Sequence, residues 1–232
     1  MDLREASATL VDLLQLTSPP VAIAFRDRAP DGVSRTAASE PAGCGYWRAA
    51  AGGRVFFTAP EDHRACPVGA HVHNVPLPPG DAARLEEMVQ TMVGLEYLRR
   101  EEVSRIPRLE RPFAGAVYAP LADAPVGPDV VLLRGNARQM MLLAEAAAAA
   151  GVAGEGPAMG RPTCAVLPAA LSSGKTASSF GCAGNRVYTG ATEDEGWWAV
   201  PAAALGPLLE RLPVIVAANR TLDAFHAARL QR

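Results

Sequence analysis

Residues 114 to 151 constrain what this chain can fold into more than any other stretch. "AGAVYAPL" (114–121) and "DVVLLRG" (129–135) are short apolar runs, joined by a proline-bearing loop, and read as two strands. Asn136 then supplies a helix N-cap to "ARQMMLLAEAAAAA", which Gly151 stops.

Further elements lie on either side. Residues 2–16 place Leu3, Leu10, Leu13, Leu14 and Leu16 in an amphipathic pattern that Pro19 and Pro20 end, and "VAIAF" (21–25) reads as a buried strand. Between 27 and 80 helix patterns are scarce and "RVFFT" (54–58) is the one clear strand. Asp81 opens a second helical pattern through Leu85, Met88, Met92, Leu95 and Leu98. "CAVLP" (164–168) and "NRVYTG" (185–190) read as strands, "WWAVP" follows, and two helices at 201–212 and 219–230 close the chain. Strands and helices mix without a regular β-α-β period, which predicts an α+β fold, a mixed sheet packed with amphipathic helices. With no repeat and no long linker, residues 1–232 are read as one domain, with two sub-lobes at about 1–110 and 111–232 as its finer division.

Composition narrows the function. A formal net charge of −2 without any basic run argues against nucleic acid and anionic membranes as partners. The N-terminus lacks the basic region and cleavage site of a signal peptide, and no run is read as membrane-spanning, so the expectation is a soluble cytoplasmic protein. Of 22 basic residues only Lys175 is a lysine, in the turn-rich stretch "GKTASSFGCAGNRVYTG" (174–190). A compact ammonium there can offer a point charge or a titratable amine that guanidinium cannot.

Several motifs fail on inspection. "SSGKT" lacks the glycine that a phosphate-binding loop needs five residues before Gly174, where Ala169 stands. No G-x-S-x-G elbow marks a serine nucleophile, and nothing pairs Ser178 or Ser179 with a base. His226 reads as a surface histidine, and Glu193, Asp194 and Glu195 as a solvated turn.

The four cysteines carry more information. Cys44, Cys66, Cys164 and Cys182 all occur in loop-like, glycine- or proline-bearing contexts, whereas a structural cysteine usually sits within an apolar run; Cys164, opening "CAVL", partly fits that plainer role. In a cytoplasmic chain they are expected to stay reduced. There is no C-x-x-C, so metal ligation and nucleophilic catalysis both remain open at this point. His63, His71 and His73 surround Cys66 and are weaker candidate ligands, the alternative being a polar surface loop.

Three blocks, "CGYWRAAAGGRVFFTAPEDHRACPVGA", "VYAPLADAPVGPDVVLLRGNARQMMLLAEA" and "GRPTCAVLPAALSSGKTASSFGCAGNR", resemble domain-of-unknown-function family 169, found in bacteria and methanogenic archaea and often in anaerobes. The resemblance runs from the opening helix to "EDEGWWAVP" and the helix after it. It implies cysteines at Cys44, Cys66, Cys164 and Cys182, with matching Gly184 and Arg186, and favours a thiolate-ligated, oxygen-sensitive cofactor. The resulting expectation is a metal-centre protein holding an iron–sulfur cluster, 4Fe-4S first, on those four cysteines, in a redox or small-molecule-transforming role. Arg186 and Lys175 would face the cluster or an anionic substrate. The alternatives are a structural zinc site, and a metal-free enzyme or small-ligand-binding protein in which Arg186 or Lys175 activates Cys182 as a thiolate. The plainest reading leaves all four cysteines as core and turn residues.

Overall fold

Alternation along the strands sorts the apolar residues onto two sheet faces, each covered by helices. The computed structural model describes residues 1–155 and 161–231; Gly160, which opens the "GRPTCAV" context of Cys164, lies outside them. Six strands form the sheet: β1 (Val21–Arg26), β2 (Phe56–Thr58), β3 (Gly115–Pro120), β4 (Val130–Asn136), β5 (Ala177–Ser179) and β6 (Glu195–Pro201). Their order is β2-β3-β1-β4-β6-β5, with every ladder antiparallel and one isolated parallel bridge between Arg35 and Phe57. Strands from both halves of the chain therefore interleave in one sheet.

One face carries Ile23, Tyr118, Leu132 and Trp197, and the other Ala22, Val131, Leu133 and Val200. Side chains leave a strand on alternate faces, so each central strand is apolar throughout and buried on both sides. The second face is covered by α1 (Leu3–Leu14), α5 (Ala137–Ala149) and α8 (Ala202–Leu230). Asp2 caps α1 by accepting from the amides of Arg4 and Glu5, and Asn136 caps α5 as its position predicts. The first face is covered by α2 (Gly45–Ala51) and α6 (Val166–Ser173), with α3 (Pro67–Val72), α4 (Pro79–Gly94) and α7 (Ala183–Thr189) completing that side.

The structure corrects the sequence reading at four places. "CAVLP" is the start of α6 rather than a strand. Val166, Leu167 and Ala170 are all buried, and a short apolar run bears no period that separates a buried helix from a strand. "NRVYTG" lies in α7 and the turn that follows: Asn185 and Thr189, four apart, point inward, Val187 is exposed, and Gly190 (φ +67°) ends the helix. The stretch 27–80 hides two short helices, α2 and α3.

The two closing helices are one. Leu205, Leu208, Leu212 and Val216 form a buried stripe that runs past Pro213, and Asn219 and Asp223 extend it by meeting Glu145 and Arg138 of α5. By length and composition α8 is also apolar enough to cross a membrane, contrary to the sequence reading, but its first half is core packed on the sheet.

Candidate functional site

Three of the cysteines stand immediately before a helix: Cys44 before α2, Cys66 before α3 and Cys182 before α7. Cys164 lies in the 3-10 turn Thr163–Ala165 that leads into α6. Residues up to 138 positions apart in sequence are thereby brought to one place: all four cysteines line a single cavity of about 390 Å³ on the first face of the sheet. None forms a disulfide; Cys44 is buried and the other three are half-buried as residues.

Local anchors hold each cysteine. The Tyr46 hydroxyl donates to the Asp62 carbonyl at 2.7 Å and accepts from the Glu40 amide at 3.2 Å, tying α2 to the turn that precedes Cys66. Arg35 grips the Asp62 carboxylate with two bonds of 2.9 Å. Around Cys66 the fit is close: a Cβ on Gly69 would stand 2.9 Å from its sulfur, and one on Gly43 would stand 3.9 Å away. Thr163 joins the other pair, its hydroxyl accepting from the Cys182 amide at 2.6 Å. Gly181 adopts φ +87°, a left-handed conformation suited to glycine, and turns the chain into Cys182.

The thiols influence one another. Burial, reinforced by Cys66 and Cys182, pushes the Cys44 thiol up to about 12. The Cys164 thiol is enclosed and raised well above its usual value, by burial first and then by Cys66, Cys182 and Cys44. Bringing several thiolates together without a cation is unfavourable, so Cys44 and Cys164 stay protonated at neutral pH in the metal-free protein. A bound cation reverses that preference, and its binding releases protons.

Several polar groups next to the cysteines lack a partner. The Asn185 Nδ2, the Tyr118 hydroxyl and both ring nitrogens of His73 are buried without a hydrogen bond. Asn185 lines the cavity and its amide lies beside Cys44; Tyr118 senses Cys164, Cys66 and Cys44; and the His73 ring lies near the backbone of Cys164 without a bond of normal geometry. Folded proteins leave few such groups, and a local concentration of them calls for an explanation.

The remaining candidates occupy varied places. His71 lines the cavity, and burial together with Arg108 pushes its pKa down. His63 and His73 are buried rather than parts of a polar surface loop, and burial lowers them to about 4 and about 3. His63 Nε2 meets the Thr58 hydroxyl at 3.0 Å. Arg186 bridges the carbonyls of Phe180, Thr192 and Glu195, and so braces the loops on either side of α7. Lys175 follows the C-terminal end of α6, opposite the end where Cys164 stands, and does not line the cavity. Among the described residues, no group of three or more His, Cys, Asp or Glu side chains is arranged to hold a single metal ion.

Asn185, Tyr118 and Thr163 were not singled out in the sequence. Asn185 stands three residues after Cys182 in "FGCAGNR" and Thr163 directly precedes Cys164, so adjacency to a cysteine was the available clue. Tyr118 had none beyond its place in an apolar strand.

The fold and this site together define an α+β protein with four free cysteines gathered on one face of an antiparallel sheet. A family model described as uncharacterised ArCR, domain of unknown function 169, matches residues 9–211, and the chain belongs to that family. No curated protein and no solved structure shows significant similarity to it.

Proposed function

We propose that this protein carries an iron–sulfur cluster of the 4Fe-4S type on Cys44, Cys66, Cys164 and Cys182. The observation that carries this reading is the convergence of all four cysteines, from four separate loops, on one cavity. The residues present fit such a group. An all-thiolate donor set suits iron–sulfur or zinc, and the unpartnered Asn185 Nδ2 and Tyr118 hydroxyl are donors of the kind that satisfy sulfur acceptors. A single zinc ion, with bonds of about 2.3 Å, draws its sulfurs to roughly 3.8 Å from one another. A four-iron centre binds each thiolate to a different iron and so asks for a wider ring of sulfurs than a single zinc ion does.

When bound, such a centre, with every iron held by a cysteine, would supply one-electron transfer. The chain's own part is to hold four thiolates and donate hydrogen bonds from Asn185 and Tyr118; polarity of this shell tunes redox potential. The four unpaired thiols fit a reducing, cytoplasmic setting.

Purification without oxygen, followed by iron, sulfide and zinc analysis, tests the reading. The expected result is a brown protein with about four irons per chain and sulfide-to-iron charge-transfer absorbance, lost in Cys182→Ser. A colourless, metal-free, folded protein overturns it, and stoichiometric zinc replaces it with a structural zinc site. If Cys182→Ser instead abolishes alkylation of a metal-free protein and spares its stability, Cys182 is a reactive thiolate.

A further inference from the structure

The cavity extends well beyond the cysteines, and its far wall has a distinct chemistry. Helix α4 faces it with Leu85, Met88, Val89 and Met92, positions that recur on one helical face. Only Val89 of these is buried; Met88 is 40% exposed, so the helix holds an apolar stripe toward a space that the protein itself does not fill. Unbranched methionine side chains let such a wall adjust to different shapes.

Charge at the cavity is sparse and one-sided. Among the described residues, Arg161 is the only arginine or lysine that lines the cavity, and no Asp or Glu does. Its guanidinium lies 4.4 Å from the centre of the Tyr97 ring, which orients it. Glu102 approaches only to 3.8 Å and is bound more closely, at 3.0 Å, by Arg99. Arg161 therefore retains capacity for another anion.

We infer that this cavity binds a small apolar molecule bearing one negative group, its apolar part against Leu85, Met88 and Met92 and its anion at Arg161. A cluster on the cysteines would take part of the cavity of about 390 Å³, so the remainder suits only a compact ligand. The inference rests on the proposed function only in that the ligand would lie beside the cluster-bearing cysteines.

Calorimetric titration of the protein as purified without oxygen, its iron counted in the same sample, tests this with octanoate and 1-octanol as probes. Octanoate is expected to bind saturably, one per chain, at least tenfold more tightly than octanol. Arg161→Gln should remove that difference, and Met88→Asp should weaken octanoate at least tenfold with iron content unchanged. Absence of saturable octanoate binding, or equal binding by wild type and both variants, overturns the inference. Failure of the cluster reading shows separately in the iron count: a colourless protein that still binds octanoate through Arg161 keeps the site and loses the cluster.

Discussion

The indole Nε1 of Trp197 donates to Asn185 Oδ1 across 2.6 Å of buried interior, joining β6 to α7. An indole nitrogen can only donate, so Asn185 must present its oxygen to Trp197 and leave its NH₂ group for the cysteine side. The bond thus fixes which end of the amide lies beside Cys44. Trp197 also packs edge-on against Trp47 of α2, the helix that Cys44 precedes. A sheet residue thereby controls the hydrogen-bonding character of the site without touching its cavity.

Asn185→Leu should leave the Trp197 N–H unpaired and destabilise the protein by about 1–3 kcal/mol. With Trp197→Phe it forms a double-mutant cycle read by urea unfolding. The coupling should be at least about 0.5 kcal/mol, whereas strict additivity would show that the bond contributes nothing.

Gly69→Ala and Gly43→Ala form a second, sharper comparison. The first places a Cβ 2.9 Å from the Cys66 sulfur and must displace it; the second makes an ordinary contact at 3.9 Å. Overpacking of this kind costs about 1–3 kcal/mol. Gly69→Ala should therefore lower iron per chain at least twofold, while Gly43→Ala leaves it near wild type. Equal iron content in the two variants would argue against Cys66 as a ligand.

Where the sequence was legible, local physics sufficed. Asn136 capped α5 and Gly151 followed its end, since a cap depends on neighbouring backbone alone. The central strands were visible because both their faces are buried. The helices after Cys44, Cys66 and Cys182 are only six or seven residues long and draw their stability from packing on the sheet, so no periodic pattern announced them. The four candidate ligands could be named from the glycine- and proline-bearing context of each cysteine. That they meet at one cavity, with Asn185 and Tyr118 behind them, depends on the order of strands and was not written in any local stretch.

His63 gives the metal-free protein a definite pH response. Burial, opposed weakly by Asp62, lowers its pKa from about 6.5 in the unfolded chain to about 4. The unfolded state therefore binds the extra proton first, and stability is greatest above the unfolded value. It declines as pH falls from about 6.5 towards 4, and this contribution is spent below that. Between pH 7 and pH 5 His63 alone should account for a loss of about 2 kcal/mol in urea unfolding. His63→Leu should reduce the loss across that interval by about 2 kcal/mol, leaving the comparable part that buried His73, lowered to about 3, contributes; an unchanged slope would mean that His63 does not carry its share.

Two leucines on α8 separate its roles as core helix and as exposed extension. Leu208 is fully buried against the sheet, whereas Leu222 is 54% exposed beyond the last buried residue of the stripe, Val216. Leu208→Ala leaves a cavity and should cost about 2–5 kcal/mol. Leu222→Ala should change stability by less than about 0.5 kcal/mol, since little of its surface is removed from water on folding. Both values can be read from urea unfolding monitored by circular dichroism. A helix packed as core through its first half requires this asymmetry; comparable, small losses at both positions would show that the first half of α8 does not anchor the second face of the sheet.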